Sequence, residues 1–192
     1  MRKFIHKVTQ LTPVAAGLAA GMIAIGIVAI IGGNYANSVV HDQLAPQKIF
    51  FPKPAVWPAL KPYAGQQVLT GKQAGLYANV QLTNDMNKLA GGKSYAQVSE
   101  EWIAGGMKNA QLASLRETLF TGTTLRGLLL GAWGWGKVAS YSILAGIIAI
   151  IVGAILFILP VANYFLNLRP ASVDELKKVY AEPARQPEPA DV

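Results

Sequence analysis

Residues 13–31 read PVAAGLAAGMIAIGIVAII, and no other stretch decides as much about the architecture. Residues 14–31 are 18 positions without a polar side chain, close to the ~20 that an α-helix needs to cross a ~30 Å hydrocarbon core. Pro13 suits a first helical turn, where its missing N–H costs no hydrogen bond. A membrane span is therefore expected over 13–32. Its counterpart is 141–162, YSILAGIIAIIVGAILFILPVA, richer in Ile and Leu and expected to lie in a span over 138–164. Pro160 falls near its end, a position tolerated in lipid. Tyr141 and Tyr164 stand where interfacial aromatic residues belong.

Composition agrees. Of 192 residues, 52% are hydrophobic and 14% charged, against about a quarter charged in soluble domains. No Asp, Glu, Lys or Arg occurs between Val8 and His41 or between Val138 and Leu168. A cleavable signal peptide is the competing reading of 13–31, since residues 1–7 form a basic leader. The apolar run exceeds the usual ~7–15 residues, however, and 32–36, GGNYA, lacks a small-x-small cleavage site, so an uncleaved anchor is expected.

Orientation follows from basic residues near the span ends. Arg2, Lys3 and Lys7 crowd the start of the first span, and Arg169, Lys177 and Lys178 follow the second, against Lys48, Arg126 and Lys137 on the other side. Both termini are expected in the cytoplasm, as a basic N-terminus over 1–12 and a tail over 165–192. Residues 33–137 are then exoplasmic. The expected fold class is an all-α membrane protein, with two transmembrane helices flanking a mainly helical exoplasmic domain.

Both spans carry small residues at helical spacing: Gly17 and Gly21, with Ala16 and Ala20 beside them, and Ala145, Ala149 and Gly153. Small residues let helix backbones approach closely in lipid. These positions are the expected helix-packing contacts, most simply between the two spans. Neither span holds an ionisable side chain, which argues against a proton relay, ion pathway or voltage sensor.

The exoplasmic segment begins with a polar stretch, 34–44, still helical for some turns. Residues 46–62 then hold five prolines, Pro46, Pro52, Pro54, Pro58 and Pro62. They exclude a regular helix and a central strand and predict an extended strap. Phe50, Phe51, Trp57 and Tyr63 are interleaved and are candidate partner contacts, unless they pack on their own domain. Helices are expected over 72–90, with Ala74, Ala78, Leu82, Met86 and Leu89 on one face, and over 99–120. Ser99 would cap the second, Met107, Leu112, Leu115 and Leu119 would line it, and Gly105-Gly106 would weaken its middle. Residues 125–136, with Trp133 and Trp135, read as an interfacial helix or re-entrant turn, or else pack within the domain. In the tail, Ser172 and Glu175 have capping-box spacing for a short helix over 172–181, and 182–192 is expected to be disordered.

Chemistry-bearing residues are sparse. The chain has no cysteine and two histidines, His6 and His41, which the membrane would separate. No metal site, cofactor site or catalytic site is therefore expected, and Glu100-Glu101 read as a helix start. The net charge is +7, and residues 33–137 carry ten Lys/Arg against five Asp/Glu. Membrane lipid and a larger membrane complex are the expected partners. Nucleic acid is not, because the basic residues are dispersed.

The chain resembles a group of uncharacterised two-span membrane proteins of actinobacteria. The resemblance rests on Arg2-Lys3-Phe4, the first span, 65–78 ending in Tyr77-Ala78, and Gly91-Gly92-Lys93-Ser94-Tyr95-Ala96. Ser114-Leu115-Arg116 and Leu119-Phe120-Thr121 complete it, over about two thirds of the chain. Residues 122–137 and the longer tail depart from the pattern. Some such proteins are labelled aromatic ring-opening dioxygenases, a chemistry that needs iron held by several His and carboxylate ligands. The resemblance thus implies a topology and an envelope setting without an activity. The expected role is a non-catalytic accessory or scaffolding subunit of a membrane or envelope complex. The alternative is a membrane-anchored module whose basic exoplasmic domain binds anionic lipid or an envelope polymer.

Overall fold

A computed structural model describes the backbone of residues 2–167 and the side chains of 14–162. The side chains of Arg2, Lys3, His6, Lys7 and Tyr164 and all of 168–192, including the helix expected at 172–181, lie outside the described residues. The described chain is mainly helical, with no strand beyond one isolated bridge. Two long helices dominate, α1 (Arg2–Leu44) and α5 (Ala110–Asn167). Val14–Gln47, most of α1 with the short turn that follows it, and Ala110–Ala162 of α5 are long and apolar enough to cross a membrane.

Both helices overrun the sequence expectation. α1 starts before Pro13, so the proline lies inside the helix. α5 incorporates residues 125–136 without a break, which removes the re-entrant turn. Every residue of 125–136 except Arg126 is apolar, small or Gly. Gly alone costs a helix about 1 kcal/mol and does not force a turn.

The chain divides into two compact units. The first consists of residues 1–23 with 151–192 and contains the early part of α1 and the late part of α5. The second, 24–150, contains the rest of both helices and everything between them.

In the second unit the proline segment is less extended than its composition suggests. Two 3-10 turns, Ala45–Gln47 and Pro58–Tyr63, accommodate prolines at their first positions. Between them the chain pairs with residues 65–68: Phe51 N–H donates to Gln66 O (2.9 Å), and Val68 N–H to Ile49 O (2.8 Å).

α2 (Gly71–Leu76) opens on a capping box. Thr70 Oγ1 accepts from the Gln73 amide, and the Gln73 side chain accepts from the Thr70 N–H. A π-helical stretch, Tyr77–Leu82, links α2 to α3 (Thr83–Ala90), which ends at Gly91 in a left-handed conformation. α4 (Tyr95–Ala104) is capped by Ser94 and Gln97, not by Ser99, which lies inside it. Gly106 and Met107, both with positive φ, then separate α4 from α5. The helix expected over 99–120 is therefore two helices, and Met107 is exposed in the turn between them. Asn109 Oδ1 accepts from Leu112 N–H and starts α5.

Two apolar clusters hold this unit together. Val40, Leu44, Phe51, Leu60, Val68, Ala74, Ala78 and Leu129 form the larger. Ala90, Val98 and Leu119 form the smaller, with Met86, Leu112 and Leu115 packed against it. The π stretch explains why Leu89 is exposed (61%) and Ala90 is buried (5%). One residue is added to the turn, so every later side chain is rotated by one position about the helix axis.

Candidate functional site

The described residues present apolar surfaces and few reactive groups. The helix seam comes first, because it decides which surfaces remain free. In the second unit a Cβ added to Gly26 would stand 2.6 Å from Gly146 O, and one on Gly33 would stand 2.7 Å from Ala139 O. The two backbones therefore touch and run antiparallel. Ser142 Oγ reinforces the contact by donating to Ala29 O (2.9 Å). In the first unit the same contact recurs, a Cβ on Gly153 meeting Ala19 O at 2.9 Å. The seam residues, Ala19, Gly26 and Gly33 against Ala139, Gly146 and Gly153, are all buried. They recur every seven residues along each helix, a step that brings a side chain back to nearly the same face.

Of the residues expected at this contact, Gly153 is in it, Ala149 is half-buried and Ala145 is exposed. Gly17 and Gly21 are exposed, and a Cβ on either would meet nothing within 4 Å. The cause is angular. Each lies two residues from Ala19, and at 3.6 residues per turn that places it on nearly the opposite side of the helix. The seven-residue repeat was present in the sequence and was the better signal.

The aromatic residues of the proline segment divide. Phe51 is buried against Tyr63 (5.4 Å between ring centroids) and Tyr77 (5.5 Å). Trp57 packs on the same cluster with Lys88 Nζ 4.6 Å from its ring centre, and Phe50 alone points outward. Most of this set is occupied inside its own domain. Trp133 leans on Gly75, where a Cβ would collide with the indole, and Lys137 Nζ lies 6.0 Å from its ring and 5.9 Å from that of Tyr141. Trp135 remains exposed.

Trp135 also flanks a lateral groove of about 640 Å³ in the second unit. Gly32, Tyr35, Ala36, Val39 and Val40 of α1 form one wall, and Leu128, Leu129 and Ala132 of α5 the other. Gln43 and Gln47 supply amides at one end. No charged side chain lines it.

Polar clusters are small. His41 and Asp42 pair at 3.1 Å on the surface, and Glu101 binds Lys93 at 2.8 Å. No group of three His, Asp or Glu residues able to hold a metal ion occurs among the described residues. Gln81 is buried and donates to Asp85 (2.6 Å). Burial raises the Tyr77 phenol above its ordinary value of 10.0, and the Asp85 carboxylate adds to the rise.

Comparisons with protein-family models, with curated proteins and with solved structures each return no match.

Proposed function

We propose that this chain is a non-catalytic accessory or scaffolding subunit of a larger bacterial membrane or envelope complex. In this reading α1 and α5 cross the membrane, both termini are cytoplasmic, and residues 33–137 form an exoplasmic domain. The observation that carries it is the free face at Gly17 and Gly21. The intramolecular seam uses other glycines, so this pair stays open to close approach by a helix of another protein, the contact that small-xxx-small steps favour in lipid. Because an added Cβ at either position meets nothing within 4 Å, Gly17→Leu with Gly21→Leu blocks the face and leaves the fold intact.

The test is gentle extraction from native membranes, size analysis and cross-linking mass spectrometry. Stoichiometric travel with a larger assembly is expected, with loss of that assembly in the double leucine variant. A chain that emerges alone, or only with copies of itself, overturns the reading. Because the chain has no cysteine, single cysteines introduced at Lys108 and near the N-terminus report orientation directly. An impermeant thiol reagent applied to intact cells should label only the former.

A second reading is favoured by the basic surface of the middle segment, where Lys53, Lys61, Lys72 and Lys108 are exposed. A module of this kind would bind anionic lipid or an anionic envelope polymer. Its binding would weaken steeply between low and physiological salt, as screening shortens the reach of surface charge to ~8 Å.

A further inference from the structure

We infer that the groove between α1 and α5 is a lipid-chain site, filled by one acyl chain of a phospholipid from the outer leaflet. The inference rests on the reading of these helices as membrane spans. Three observations lead to it.

The first is continuity. Ile25, Val28, Gly32, Tyr35 and Val39 follow one another at steps of three and four, so they lie on one face of α1. Ile25 and Val28 are exposed at 69% each and Tyr35 at 71%. Ile25 and Val28 belong to the uncharged run that lipid would surround, and Gly32, Tyr35 and Val39 are groove wall. The groove is thus the upper continuation of a lipid-facing stripe, and a chain enters it from the bilayer without crossing a charged or polar rim.

The second is cross-section. From Gly32 to Gln47 the wall is about 22 Å long at 1.5 Å per residue. A volume of about 640 Å³ spread over that length gives a mean section of roughly 30 Å². The groove is wide enough for a polymethylene chain. The wall is longer than the ~15 Å that one leaflet contributes to a ~30 Å core, so a whole tail can lie along it.

The third is chemistry. The walls are Val, Leu, Ala and aromatic rings, with two neutral amides at the far end. Such a surface is unfavourable when left bare in water and is relieved by an apolar occupant. Gly32 forms an open floor at the entrance, and a Cβ there would meet no protein atom within 4 Å.

The test uses the full chain in vesicles of phosphatidylethanolamine and phosphatidylglycerol, doped with a phospholipid bearing a diazirine near the end of one acyl chain. After photolysis, labelled residues are mapped by mass spectrometry. Labelling is expected at Val39, Val40 or Leu128, beyond the bilayer-spanning stretch, as well as at Val28 and Ile147 within it. Gly32→Leu and, separately, Ala36→Leu should lower the groove labels by roughly tenfold and leave those at Val28 and Ile147 unchanged. Labels at Val28 and Ile147 without any in the groove overturn the lipid site and leave the membrane reading standing. Loss of both sets overturns the membrane reading as well. Cross-links in native membranes from groove residues to another polypeptide would show a protein occupant and overturn the inference.

Discussion

The helix seam and the small folded region between the helices solve the same packing problem with opposite materials. The seam brings backbone to backbone through Gly and Ala. The folded region buries Phe51, Leu60, Val68, Val98 and Leu129 and closes its helix ends with Thr70, Ser94 and Asn109. On the proposed membrane reading, the difference follows from what burial gains in each solvent. In lipid, tails are as apolar as Leu, so close packing is the main gain. In water, removing large apolar side chains from solvent is the main gain.

Five substitutions press on that contrast, each read by thermal unfolding of the purified full chain in mild detergent. The largest effect is expected from Phe51→Ala. It removes the ring between Tyr63 and Tyr77 and should cost about 3–5 kcal/mol, the range for deleting a buried aromatic side chain. It should expose the 45–109 region to protease while α1 and α5 stay helical. Gly146→Leu attacks the seam by overfilling, with an expected cost of about 1–3 kcal/mol. Gly17→Leu, on the open face, should cost nearly nothing, and equal losses at Gly17 and Gly146 would refute the seam assignment. Thr70→Ala or Ser94→Ala removes a cap and should cost about 1 kcal/mol.

One further effect is tied to pH. The Tyr77 phenol has its folded-state pKa raised above the unfolded value by burial, with Asp85 adding to it. Folding therefore favours the protonated phenol. The stability this represents is intact below about pH 10 and is lost as pH rises through the raised folded value. Tyr77→Phe should flatten that alkaline decline and leave neutral-pH stability little changed. An unaltered decline would remove Tyr77 as its source.

The two long apolar helices were legible from residues 13–31 and 141–162, because a run of uncharged residues near the length of a bilayer has few other uses. Their extents were not. Glycine and tryptophan over 125–136 suggested a turn, yet helix propensity tolerates both, and contacts such as Gly71 on Gly136 fix that stretch within α5. The face over 72–90 was readable as far as Ala78. Beyond it the π stretch shifted the register by one residue, which periodicity counting from a fixed 3.6 could not anticipate. Among the candidate helix-packing residues, Gly153 lies in the seam and Gly17 and Gly21 lie off it, because the seam follows a seven-residue step and not a four-residue one. The groove was invisible in sequence, since it is made by residues about a hundred positions apart.

The seven-residue spacing of the seam carries one last consequence. Sliding α1 past α5 by one repeat, about 10 Å, would again set small residue against small residue, as Gly26 on Ala139 or Gly33 on Gly146. The seam is therefore a scale without a zero mark: it specifies how near the helices come and leaves open where along their length they stop. In the second unit that mark is supplied by side chains outside the repeat, the Ser142 hydroxyl on the Ala29 carbonyl and Leu129 locked into the cluster around Phe51. The folded region between the helices thus serves as the detent that holds a slippery pair at one position.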